Sequence, residues 1–184
     1  MQYSFETTGV NVWATDVEPY GSVEVTAENT SPFSSWISSF NFAGVAASDL
    51  TPSGDPDGDG QNNLTEFALA GNPTTGKNPR NVRSRVGNVG GEQAFSITLP
   101  VRGAPTFNGA LGRSATVDQI TYHIEGSNGL TLFDHAASEI PATADGLPTL
   151  PSGWTYRTFR LNGAVSGLTP RGPRGFLRVR IHVP

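Results

Sequence analysis

Residues 55–66 most narrowly limit what this chain can fold into, because oxygen-bearing side chains recur there at alternate positions around a turn. Asp55, Asp57 and Asp59 take the first, third and fifth places, so three carboxylates can converge on one point. Gly60 follows at the sixth, where the backbone must turn sharply. Gln61 offers its main-chain carbonyl at the seventh, Asn63 a side-chain oxygen or a water at the ninth, and Glu66 a bidentate carboxylate at the twelfth. This is the ligand spacing of a calcium loop, built wholly from hard oxygen donors. Carboxylates this close repel one another, and no Lys or Arg lies near them in sequence, which weighs against a merely solvated acidic turn. Magnesium shares the oxygen chemistry but keeps more water and fewer protein ligands, so the expected ion is Ca2+. The eighth place holds Asn62 rather than the apolar residue of a loop paired with a twin, which predicts a lone structural loop.

The 184 residues can bury the core of one domain with an appendage, or of two small ones. With 22 Gly, 14 Pro and only 15% charged residues, the chain favours short strands joined by frequent turns over long helices. There is no cysteine, so disulfides and thiol chemistry are excluded. All twelve Lys and Arg lie from Lys77 onward, while the first part is purely acidic, an asymmetry that lets the two parts attract each other. The net charge of −4 and the lack of a recognised binding motif argue against nucleic acid as a partner. No apolar run is long enough to insert into a membrane, and the opening Met1-Gln2-Tyr3-Ser4-Phe5-Glu6 is not a secretory leader. The expectation is a fragment of a longer secreted protein, located outside the cell or at its surface, where millimolar calcium suits such a loop.

In order, residues 1–30 read as a β-hairpin or the tail of a preceding domain: strand-like runs at 10–14 and 22–27 flank a turn at Glu18-Pro19-Tyr20-Gly21. Residues 31–76 read as helix, calcium loop, helix. Ser31 and Pro32 open the first helix, with Phe33, Trp36, Ile37 and Phe40 at helical spacing, and Leu64, Phe67, Ala68 and Leu69 form the apolar side of the second before Gly71 ends it. The turn-rich stretch 70–79 is the expected boundary. Residues 77–184 then switch to a period of two, with strands expected at 93–101, 120–124, 130–133, 154–161 and 176–183. The predicted fold is mainly β, an antiparallel β-sandwich of immunoglobulin or fibronectin type preceded by the helical calcium segment.

These stretches resemble a carboxy-terminal module of large secreted proteins from verrucomicrobia and planctomycetes. The resemblance rests on Phe33-Ser34-Ser35-Trp36, the acidic loop with Asn63-Leu64-Thr65-Glu66-Phe67-Ala68-Leu69-Ala70-Gly71-Asn72-Pro73, Thr121 to Leu130, and Gly175-Phe176-Leu177-Arg178-Val179-Arg180. The loop is also similar to thrombospondin type 3, dockerin and EF-hand loops. The likeness covers the chain from about Phe33 onward and implies an extracellular, calcium-stabilised accessory domain of a larger bacterial protein, with neighbouring domains as its partners. Phe133 stands where that sandwich often has Trp, and residues 136–151 look like an enlarged loop.

Three classes of function compete. Catalysis would need convergent polar groups, yet His123, His135 and His182 lack metalloenzyme spacing, no nucleophile elbow or phosphate loop is present, and the carboxylates after Glu66 are scattered. A small carbohydrate-active enzyme with an unrecognised carboxylate pair is therefore the lesser alternative, and no catalytic residue is named. Carbohydrate binding by a non-catalytic module is the leading expectation, through Tyr122, Trp154 and Tyr156 as stacking aromatics and Arg178 and Arg180 as oxyanion partners for a glycan or cell-surface polymer. Against this, Trp154 can equally be a core tryptophan of the sandwich. A spacer or surface-attachment domain without a small ligand is the third class. Exposed aromatics in a row favour glycan binding, whereas their burial favours a spacer.

Overall fold

The computed structural model describes residues 13–14, 25–26, 31–76, 81–128, 131–162 and 175–183. The chain forms two compact units, Met1–Ser31 and Pro32–Pro184. In the first, Trp13–Ala14 (β1) pairs antiparallel with Val25–Thr26 (β2), as expected of a hairpin. The remainder of the expected hairpin, with Tyr20 and its turn, lies outside the described residues.

The second unit opens with a short helix, Pro32–Ile37 (α1), a 3-10 turn at Ala47–Leu50 and a second helix, Asn63–Leu69 (α2). Among the described residues seven strands follow: Arg83–Val89 (β3), Glu92–Arg102 (β4), Arg113–Val117 (β5), Ile120–Ser127 (β6), Ala137–Ile140 (β7), Trp154–Leu161 (β8) and Phe176–His182 (β9). They form two antiparallel sheets, ordered β3-β4-β8-β7 and β5-β6-β9. The fold is thus mainly β and sandwich-like, with the four-plus-three division of a constant-type immunoglobulin domain and its own connectivity. Two hairpins are closed by two-residue turns in the left-handed region, Gly90-Gly91 between β3 and β4 and Asp118-Gln119 between β5 and β6. Such turns match the twist of the strands they join.

Alternation places Leu99 and Val101 of β4, Ile120, Tyr122 and Ile124 of β6, and Phe159 of β8 in one buried core. Phe107 packs edge-on to Phe159 at 4.7 Å between centroids. Phe67 and Ala68 of α2, both fully buried, belong to this same cluster, so residues 31–76 and the sandwich share a core instead of standing as separate modules. The expected boundary near Gly76 is therefore a change of local structure within one unit; residues 77–80 lie outside the described set.

Some strand expectations are corrected. Residues 131–133 are not in a strand, and Leu132 is exposed. Conversely β3, β5 and β7 are strands that the period-two reading passed over. β3 has mostly exposed side chains and no apolar alternation, so its pairing with β4 is what makes it a strand; β7 interrupts the stretch read as one enlarged loop. Among the described residues no helix is long and apolar enough to cross a membrane.

Candidate metal centre

The acidic loop is held between two segments that fix both of its ends. Upstream, the turn around the 3-10 helix folds so tightly that a Cβ on Gly54 would fall 1.9 Å from the Asp49 carbonyl oxygen. The carbonyls of Gly54 and Pro52 accept from Asn63 N and Leu64 N at 2.8 and 2.9 Å. Downstream, the Asn62 carboxamide caps α2, accepting from Thr65 N at 2.9 Å and Thr65 Oγ1 at 2.7 Å. Asn62 is therefore polar at the eighth place because it starts the helix. Asn63 is fully buried, and its Nδ2 donates to the carbonyls of Asp49 and Thr51 at 2.7 and 2.8 Å.

Between these anchors the chain winds around its own carboxylates. Gly58 N and Gly60 N donate to the two oxygens of Asp55 at 3.0 and 2.9 Å, Asp59 N to Asp57 Oδ1 at 3.2 Å, and Gln61 N to Asp59 Oδ1 at 2.8 Å. Gly58 and Gly60 have φ of 73° and 87°, a conformation that side chains with a Cβ resist, although no atom would crowd a Cβ at either position. One oxygen from each of Asp55, Asp57 and Asp59 lies within 4.8 Å of the others, a cluster able to hold a metal ion. Burial, reinforced by the Asp59 and Asp55 charges, pushes the Asp57 carboxyl above its ordinary value despite the hydrogen bond from Asp59 N. A cation at this point would remove that penalty.

The remaining expected ligands divide. Gln61 and Asn63 follow directly in the chain, and Glu66 is fully buried on the first turn of α2 but outside the three-aspartate cluster. Asp49 contributes its carbonyl to Asn63 and is not part of the cluster. Buried polar atoms in folded proteins are almost always hydrogen-bonded. Asp57 Oδ2 and Asn63 Oδ1 are buried acceptors with no hydrogen-bond partner, and both belong to the expected ligand set. Orphaned acceptors and an all-oxygen donor set fit a hard cation.

The expected sugar-binding residues are each engaged with other parts of the protein. Tyr122 is corrected to a core residue: it is fully buried, its hydroxyl donates to the Ala68 carbonyl at 2.8 Å and accepts from Arg102 N at 3.2 Å. Burial pushes its phenol well above the ordinary value. The Trp154 indole donates to the Phe67 carbonyl at 3.1 Å, and the Arg102 guanidinium lies over both the Phe67 and the Trp154 rings, 4.0 and 4.5 Å from their centroids. Tyr156 is half-buried and donates to the Pro148 carbonyl at 2.8 Å. Arg178 and Arg180 share Glu125, at 2.7 and 2.8 Å, and Arg178 also lies over the Phe133 ring. These five residues thus make no row of free aromatics. His123 and His182 stack face to face at 4.9 Å on the outer side of the β6–β9 pair.

A scan against protein-family models finds no match, and searches of curated proteins and of solved structures find no significant relative.

Proposed function

We propose that this chain is a calcium-stabilised, non-catalytic accessory module of a larger extracellular protein, in which the ion ties a two-helix segment to a β-sandwich. The observation that carries the reading is the convergence of Asp55, Asp57 and Asp59, together with the orphaned acceptors Asp57 Oδ2 and Asn63 Oδ1 in the same loop. Asp55, Asp57 and Asp59 would hold Ca2+ with the Gln61 carbonyl, Asn63 and Glu66. The ion supplies positive charge that offsets carboxylate repulsion and makes folding depend on metal. The role is structural because the loop leads straight into α2, and α2 places Phe67 and Ala68 in the core.

Thermal unfolding with excess CaCl2 and with chelator tests this. At a free calcium concentration about a hundred times Kd, binding adds about 2.7 kcal/mol, on the order of 5–10 °C for a unit of this size. The Asp57→Ala, Asp59→Ala double variant should lose the calcium-dependent rise. Equal midpoints with calcium and with chelator for the unaltered chain would reduce the loop to a solvated turn and remove the main support for an extracellular setting.

A further inference from the structure

A cavity of about 480 Å³ opens where the first helix, the end of α2 and the segment before β8 meet. That volume lies within the roughly 300–1,000 Å³ usual for small-molecule sites. Its walls include Trp36, Phe40 and Trp154 with Pro148 and Pro151, and among the described residues no charged side chain lines it. Trp36 and Phe40 meet edge to face at 5.1 Å, and Trp36 is backed by Phe67 at 5.3 Å, so the aromatic wall is braced by the core. Trp154 is fixed from behind by its bond to the Phe67 carbonyl and by Arg102.

Asn81 adds the polar element. It is only 5% exposed, and its Nδ2 donates to the carbonyls of Leu69 and Ala70 at 3.1 and 3.0 Å, closing the end of α2. That leaves Oδ1 as a buried acceptor without a hydrogen-bond partner on a residue that lines the cavity. An orphaned acceptor on one lining residue and aromatic rings on others fit a ligand with both an apolar face and a hydrogen-bond donor at its rim. A pyranose ring has both, C–H groups on its face and hydroxyls at its edge. A wholly apolar occupant would leave Asn81 unpaired, and an anionic one would meet no cation among the described lining residues.

We propose that this cavity binds a short, neutral oligosaccharide, with Trp36, Phe40 and Trp154 as the apolar wall and Asn81 Oδ1 accepting from a sugar hydroxyl. The inference shares the accessory-module reading, but its failure is separable, since calcium dependence of the melt is read independently.

The test is a nitrogen-15 NMR titration of the full chain in saturating CaCl2 with cellohexaose, xylohexaose and laminarihexaose, and with an oligogalacturonide as the charged comparator. At least one neutral sugar should shift the Trp36 and Trp154 indole signals and the amides of residues 70–72. Phe40→Ala and Asn81→Ala should each weaken that binding by about tenfold, as expected for one lost contact or hydrogen bond. Because Asn81 also closes α2, Phe40→Ala and the shift map of the unaltered chain carry the test if the Asn81 variant does not fold. No response to any neutral sugar overturns the proposal, as do shifts centred on Arg178 and Arg180, a response to the oligogalacturonide alone, or binding of the apolar dye ANS at this cavity with no sugar response.

Discussion

Two glycines of the helical segment are needed for different reasons, and substitution separates them. Gly60 adopts φ of 87° in open space, so Gly60→Ala should cost about 1–2 kcal/mol of backbone strain and nothing from packing. Gly71 lies against α2 so closely that a Cβ would sit 2.7 Å from Glu66 Cβ, and Gly71→Ala should cost about 1–3 kcal/mol from crowding. Urea unfolding of the two variants measures both. Sequence reasoning assigned Gly71 as the helix terminator, but the left-handed residue is Ala70, at φ 57°, whose N–H bonds the Glu66 carbonyl. Tyr122→Phe should cost about 1–3 kcal/mol, since it strands the buried Ala68 carbonyl. The aspartates were legible in the sequence because a loop carries its own spacing. Tyr122 was legible only by face, on the side of Ile120 and Ile124, because its hydroxyl partner lies 54 residues away.

At the scale of elements, α2 does the joining. It begins on the loop, ends against Asn81, and sends Phe67 into the sandwich beneath Arg102. Phe67→Ala removes a fully buried ring and should cost about 3–5 kcal/mol by chemical unfolding. The helix was readable from its apolar side, Leu64, Phe67, Ala68 and Leu69, all within a few residues, whereas its Asn62 cap and its Ala70 end were not. β3 was not, because Arg83, Ser84 and Arg85 are exposed and the strand exists through its register with β4, Arg83 opposite Thr98. The Gly90-Gly91 turn is the local signal that could have revealed that hairpin. The cavity proposed to hold sugar escaped notice for the same reason, since Trp36, Asn81 and Trp154 meet only after folding.

For the molecule as a whole, the outer side of the β6–β9 pair sets a response to acid. Burial, with His182 and Arg180 adding to it and Glu125 opposing, holds His123 below its ordinary value of 6.5, so the unfolded chain binds the proton more readily. Stability therefore falls as pH drops below about 6.5, and His182→Gln should make that arm shallower without removing it, since burial and Arg180 remain. Glu125 is displaced downward by the hydrogen bonds and charges of Arg180 and Arg178 against the cost of its burial. Its contribution is present above its ordinary 4.5 and is lost as pH falls through the lower folded value. Melting curves from pH 8 to 3 should show both losses, and Glu125→Gln should remove the second at a cost on the order of 1–3 °C at neutral pH. The same arginines bear on how copies of the protein meet. In the two sheets of the second unit, β3 and β9 each form a border and carry exposed arginines, Arg83 and Arg85 on one, Arg178 and Arg180 on the other, while the other borders among the described residues, β5 and β7, run only five and four residues. Unpaired strand edges are templates on which further chains add, and short or cationic edges discourage that growth. Crowded copies therefore meet, in these two sheets, borders that discourage the extension of one another's strands.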